Sequence, residues 1–190
     1  STQFEETDGE VRMEAESYSG LVDGSGDASG STWESFSDGD ASGGTAMQAV
    51  PNEGVNVGDT TDGPRLDFDV DFSTTGTYYV WVRMRGPSGS DDSVHAGLDG
   101  SPASYGGGGM TDNSGEWTWV NRVGWGDDAP RVTMKVDTAG VHTVNVWMRE
   151  DGTEVDEVLV TTDGNFTPSE TSSTQFEETD GEVRMEAESY

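Results

Sequence analysis

The chain has 190 residues, 38 of them acidic and 9 basic, and its formal net charge is -29 at pH 7. So acidic a chain lacks the clustered lysine and arginine that nucleic-acid binding requires, and it has no apolar run near the roughly 20 residues of a membrane-spanning helix. It contains no cysteine, which excludes disulfides, zinc–thiolate sites and thiol catalysis.

The acidic composition also predicts a halophilic protein, because counterions at high salt screen the self-repulsion of such a surface. An ordinary acidic extracellular domain is the alternative. Hydrophobic residues make up only 31% of the chain. They occur in short alternating runs with aromatic residues, which indicates a folded β protein rather than a disordered chain.

Nine segments have the alternating or aromatic and β-branched pattern of strands, and none has a convincing helical pattern. The clearest is 66–72, in which apolar residues alternate with three aspartates. A turn at 138–140 predicts a hairpin of 131–136 and 141–148. The long Gly-, Ser- and Asp-rich stretch 19–45 is expected to be mainly loop. In chain order the predicted strands are 11–16, 46–50, 66–72, 78–85, 94–98, 116–123, 131–136, 141–148 and 155–161.

Many short strands with frequent turns and no helical crossover predict an all-β protein, an antiparallel β-sandwich of about nine strands. A small sandwich offers little room for a deep catalytic cleft. Nucleophile-elbow and phosphate-loop motifs are absent from the sequence, and both histidines, His95 and His142, lie within predicted strands. The chain is therefore predicted not to be an enzyme.

An internal repeat is the most informative feature of the sequence. Residues 1–18 recur letter for letter at 173–190. A repeat with so long a period indicates one whole domain and the opening of the next, as in a tandem array. We predict a β-sandwich repeat unit at 1–163, an inter-repeat linker at 164–181 and the first strand of the next repeat at 182–190, a copy of 10–18.

The predicted linker is polar and contains the sequon Asn165-Phe166-Thr167, so Asn165 is a predicted glycosylation site. Tandem arrays of this kind are typical of extracellular, cell-surface proteins, and the expected partners are neighbouring repeats. Residues 183–190 could pair with a sheet of another copy, joining units by strand donation. The alternative is that this stretch simply begins the next domain.

The motif Glu14-Ala15-Glu16-Ser17-Tyr18 is followed by a strand–turn–strand run at 66–84 and by two closing segments, 139–148 and 152–160. In this order they resemble the carbohydrate-binding modules of families 6 and 35, over roughly residues 9–163. The resemblance implies a galactose-binding-like jelly roll and a structural calcium. The matching calcium ligands are Glu14, Glu16 and Asp156, which are the hard oxygen donors that calcium prefers. The alternative is a set of solvated carboxylates.

The resemblance also implies a polysaccharide site at the loops, where aromatic rings stack on sugars. Trp117 matches the platform tryptophan of the family. Trp33 and Tyr105 are weaker candidates, placed only by lying in long loops. Glu154 stands where the family often has an asparagine that bonds the ligand.

The tandem repeat predicts a structural or adhesive domain of an extracellular filament or stalk, built from calcium-braced sandwiches. The alternative is a glycan-binding module that anchors a cell or an attached enzyme to polysaccharide. Binding of glycan, and its dependence on Trp117, separates these two functions.

Overall fold

The structure is a computed structural model that describes residues 3–103, 108–124, 126 and 128–169, and the backbone alone of 178–179 and 182–183. In this part of the chain the only helical segments are three 3-10 turns, at Ala15–Ser17, Gly26–Ala28 and Ser42–Gly44, and none is long or apolar enough to cross a membrane. The strands are β1 Gln3–Glu5, β2 Glu10–Glu14, β3 Gly20–Val22, β4 Thr32–Ser37, β5 Thr45–Val50, β6 Arg65–Phe72, β7 Gly76–Arg85, β8 Ser93–Leu98, β9 Ser101–Pro102, β10 Met110–Thr111, β11 Thr118–Val120, β12 Thr133–Val136, β13 Gly140–Met148, β14 Glu154–Thr161, β15 Glu178–Thr179 and β16 Glu182–Val183.

The strands form two main sheets. The first has the order β1-β6-β13-β8-β10, with β3 also on β6 and β9 also on β8. The second has the order β11-β7-β14-β5-β4, with β12 also on β7 and β2 also on β14. Pairing is antiparallel throughout these sheets except between β1 and β6, which run parallel. The predicted antiparallel β-sandwich is confirmed.

The hydrophobic core draws on both sheets, and β6 shows how the sequence builds it. The four apolar residues between Leu66 and Phe72 are fully buried, whereas the three aspartates that alternate with them are half-buried or exposed. Full burial of one such apolar side chain contributes about 1.5–3 kcal/mol to folding. Strict alternation therefore fixes which side of β6 faces the core.

The predicted hairpin of 131–136 and 141–148 is wrong. β12 pairs with β7 in the second sheet, whereas β13 lies between β6 and β8 in the first. The bend between them, with Gly140 at a φ of 122°, carries the chain from one sheet to the other. A turn signal fits either outcome, because it shows that the chain bends and not which strand edge it joins next.

The nine predicted strands are all present, with changed bounds. The predicted strand 11–16 ends at Glu14, where a 3-10 turn begins, and 116–123 is reduced to the three residues of β11. Six short strands were not predicted, namely β1, β3, β4, β9, β10 and β15, the last of which lies within the predicted linker 164–181. The stretch 19–45 holds two of them, because β4 pairs along its whole length with β5 despite its polar composition.

Candidate functional site

A line of side chains crosses one end of the second sheet. Arg85 on β7 lies opposite Glu154 on β14, which lies opposite Gln48 on β5, which in turn lies opposite Glu34 on β4. Trp117 precedes β11, and the Arg85 guanidinium carbon is 4.4 Å from the centre of its ring. Directly paired residues point to the same face of a sheet. We call these five residues the Arg85 row.

Two carboxylates hold Arg85 in place. Its Nε donates to Glu154 Oε2 at 2.5 Å and its Nη2 lies 2.6 Å from Asp38 Oδ2. Burial alone would lower the pKa of Arg85, but its bonds to Glu154 and Asp38 raise it. The Asp40 backbone N–H, and then Arg85, hold the pKa of Asp38 below its ordinary value. The guanidinium is thus fixed, and its charge is more than balanced.

The three predicted calcium ligands are brought together beside this row. The backbone N–H of Ser42 donates to Asp156 Oδ1 at 3.0 Å, and the Ser42 hydroxyl donates to Glu14 Oε1 at 2.7 Å. Burial raises the pKa of Glu16, and the Glu14 and Asp156 carboxylates raise it further. We call Glu14, Glu16 and Asp156 the Glu14–Glu16 cluster.

The donor chemistry of the cluster fits a hard cation. Glu14 Oε2 and Glu16 Oε2 are buried and have no hydrogen-bond partner. Asp156 is different, because Arg83 Nη1 contacts its Oδ2 directly. Burial raises the pKa of Asp156, and this ion pair opposes the rise. Across the described residues, no three His, Cys, Asp or Glu side chains are spaced as a ready metal site, so calcium stays a prediction.

A groove of about 520 Å³ joins the two features. Glu16 of the cluster and Glu34 of the Arg85 row both line it, together with Tyr18, Trp33 and Thr45. Tyr18 belongs to the opening motif of the sequence and is half-buried. Its place in that motif is the one signal from which a second aromatic contact could have been predicted.

Residues 3–173 match the family model described as the glycosyl hydrolase family 115 C-terminal domain. The chain belongs to that family. The chain is also similar to the protein called Uncharacterized protein P23 from Formosa agariphila, with 32% identity over 108 residues. That match covers 54% of this chain and 26% of the relative, so the chain spans about a quarter of the longer protein.

Two solved structures share the fold at low sequence identity. The Podospora anserina GH26-CBM35 β-(1,4)-mannanase has a TM-score of 0.54 and 16% identity, over 85% of this chain and 29% of the enzyme. A family 35 carbohydrate-binding module from Clostridium thermocellum has a TM-score of 0.52 and 14% identity, over 80% of this chain and 96% of the module. This chain therefore shares the β-sandwich fold of a family 35 module.

The other predicted site residues, Trp33, Tyr105 and Asn165, lie outside the Arg85 row and the Glu14–Glu16 cluster. Trp33 is only 2% exposed and its Nε1 donates to the Pro64 carbonyl at 2.9 Å. A stacking platform needs an exposed ring face, so Trp33 does not fit that role and instead anchors β4 in the core. Tyr105 lies outside the described residues. Asn165 is exposed, and its glycosylation stays a prediction.

A second carboxylate pair lies at the loops of the first sheet and was missed in the sequence. Asp92 and Glu150 line a cavity of about 380 Å³. Burial, followed by the neighbouring Glu150 carboxylate, raises the pKa of Asp92 to about 7. Asn56 and Ser93 each donate to Glu150 at 2.6 Å. Burial alone would raise the pKa of Glu150, but its hydrogen bonds, led by those from Asp92 and Ser93, lower it. No local pattern marks this pair, because its two members are 58 positions apart in the chain.

Proposed function

We propose that this family 115 C-terminal domain binds carbohydrate, as a module of a longer extracellular protein. The observation that carries the proposal is the Arg85 row, which places an aromatic ring at one end of a line of fixed polar groups. Family membership and the fold of a family 35 carbohydrate-binding module support it. These comparisons favour glycan binding over the filament or stalk function predicted first.

The Arg85 row suits a sugar because its aromatic ring and its polar side chains would contact different sides of a pyranose. The half-buried indole of Trp117 matches the apolar face of the ring. Glu154 and Gln48 offer an acceptor and a donor for hydroxyl groups, and Gln48 Nε2 already holds Glu154 Oε1 at 3.2 Å. Side chains that are fixed before binding lose little conformational entropy when the ligand arrives.

The charge of the row favours a neutral glycan. Arg85 is bonded to both Glu154 and Asp38, so its single positive charge faces two negative charges. Glu34 at the end of the row is exposed and adds another carboxylate. A uronate or sulfate group would meet net repulsion here, whereas uncharged hydroxyl groups can donate to these carboxylates.

Titration calorimetry against neutral and uronate-bearing polysaccharides tests this function. We expect binding to neutral glycans, and at least about tenfold weaker binding in Trp117→Ala, because a buried aromatic contact is lost. Trp119→Ala is the matched control, since Trp119 is equally half-buried but stacks on Arg12. Equal losses in both variants, or no binding by the unaltered protein, would contradict the proposal.

We further propose that calcium occupies the Glu14–Glu16 cluster and braces the sandwich. The support is the pair of buried glutamate oxygens without hydrogen-bond partners, together with their mutual repulsion. Calcium would supply the missing positive charge to Glu14, Glu16 and Asp156. A ligand that binds the folded state and not the unfolded state raises the free energy of unfolding.

Thermal unfolding with calcium and with chelator tests the brace. We expect calcium to raise Tm by about 5 °C or more. The response should be lost in Glu16→Gln and kept in Glu34→Gln, whose side chain is exposed and lies outside the cluster. A Tm that does not respond to calcium would rule the brace out.

A further inference from the structure

The first copy of the repeated segment closes both sheets of the sandwich. β1 pairs with β6 at the edge of the first sheet, and β2 pairs with β14 in the second. Neither strand has a second neighbour among the described residues. We call residues 3–18 the strap, and the strand edges and core surface beneath it the strap slot.

The slot selects apolar side chains at fixed positions of the strap. Met13 and Ala15 are fully buried and Val11 is 4% exposed. The ring of Phe4 packs against Phe68, with ring centres 6.2 Å apart. An unrelated segment would place different side chains in these positions, so the slot recognises this sequence pattern.

A polar anchor adds to this selection. The Glu6 carboxylate accepts hydrogen bonds from Gly9 N at 2.5 Å, Ser73 N at 2.9 Å and Thr74 N at 2.7 Å. Burial alone would raise the pKa of Glu6, but its hydrogen bonds, led by that from Ser73, lower it to about 2. Gly9 has a φ of 80°, and a Cβ there would lie 2.2 Å from Thr162 Oγ1. Only glycine fits at this point.

The second copy of the segment meets every one of these requirements. Its backbone pairs Thr179 with Glu182, as Thr7 pairs with Glu10 in the strap. The anchoring residues of the strap recur in it as Phe176, Glu178, Gly181, Val183, Met185 and Ala187.

We propose that residues 173–190 are a second strap, which fills the strap slot of another copy of this chain. The direction of the chain after β14 favours another copy over the molecule's own slot. Arg131 donates to the Gly164 carbonyl, and Gly164 lies against Tyr79 on β7. The chain thus leaves β14 towards β7 and β12, on the opposite side of β14 from β2.

When the second strap of one molecule fills the strap slot of another, the two molecules are joined head to tail. We call this strap exchange. Both straps have the same residues, so either one makes the same contacts in the slot. A head-to-tail contact uses two different surfaces, so it extends into an open chain of units, or into a ring where the rotation between units closes. The second strap also brings Glu186 and Glu188 in place of Glu14 and Glu16. The slot does not include the Arg85 row, so this proposal and glycan binding can fail separately.

Disabling each strap of the full chain in turn tests the exchange. Met13→Asp places an unpaired charge at a fully buried position and should expel the first strap. Met185→Asp is the matched control in the second strap. Light scattering and sedimentation over a 100-fold range of concentration, with circular dichroism, would report size and folding.

We expect Met13→Asp to stay folded and to form oligomers that grow with concentration, because its slots are filled by the second straps of other molecules. Met185→Asp should be folded and monomeric, and the double variant should be unfolded. The proposal is overturned if Met13→Asp is as unfolded as the double variant, since the second strap then does not fit the slot. It is also overturned if Met13→Asp is folded and monomeric at every concentration, since the slot is then filled within one molecule.

Discussion

The Arg85 row and the Glu14–Glu16 cluster lie on the same sheet and are both rich in carboxylates, but they balance charge differently. In the row, Arg85 bonds Glu154 and also the neighbouring Asp38, and it holds both carboxylates in place. In the cluster, Arg83 contacts Asp156, while one buried oxygen each of Glu14 and Glu16 has no hydrogen-bond partner. In our proposals, the same residue type therefore serves hydroxyl recognition in the Arg85 row and cation binding in the Glu14–Glu16 cluster.

The largest expected effect comes from removing the guanidinium beside Asp156. Arg83→Met leaves a fully buried carboxylate without its partner, which costs about 3–5 kcal/mol of unfolding free energy. Urea unfolding in chelator measures the loss. Lys135→Met is the control, because Lys135 and its partner Asp137 are exposed and solvent screens their interaction, so stability should change little. Equal effects of the two substitutions would show that the cluster does not depend on Arg83.

A smaller loss of unfolding free energy is expected when the guanidinium of the Arg85 row is removed. Arg85→Met leaves Glu154 and Asp38 without their shared partner, and the loss of charged hydrogen bonds costs about 1.5–3 kcal/mol. Glycan affinity should fall as well, because Glu154 is no longer oriented. Urea unfolding and calorimetry on the same samples measure both. A variant with full affinity would remove Arg85 from the proposed site.

The smallest effect concerns the pair of Asp92 and Glu150, in which a proton on Asp92 relieves the repulsion between the two carboxylates. The pKa of Asp92 is about 7 in the folded protein and 3.8 ordinarily. The folded state therefore keeps a proton that the unfolded state loses, and the stability from this pair falls as pH rises from about 4 to about 7.

Asp92→Asn keeps a hydrogen-bond donor and removes this titration, so the decline in unfolding free energy over that interval should become shallower. Urea unfolding at about pH 4.5 and about pH 7.5 provides the comparison. Asp71→Asn, at an exposed position on β6, should leave the slope unchanged. A slope that Asp92→Asn does not alter would show that the pair shares no proton in solution.

The strands with strong patterns could be predicted because each pattern is local. Alternation between Leu66 and Phe72 identified β6 and its buried side. The site was harder, because Trp117 and Glu154 were placed through a family resemblance, and their neighbour Arg85 was missed inside a strand that looked purely structural. Trp33 was misjudged because the polar stretch around it hides a strand that packs into the core.

By itself the sequence determined the strand-rich class, the acidic surface and the identity of residues 173–190 with residues 1–18, since composition, period-2 alternation and a repeat are all read along the chain. Only the tertiary structure decided that β12 and β13 belong to different sheets, that Arg85 stands between Glu154 and Asp38, and that two glutamate oxygens are left without partners. Those facts depend on which strand edges meet across long separations in the chain, and pairing of that kind is set by packing rather than by any local pattern.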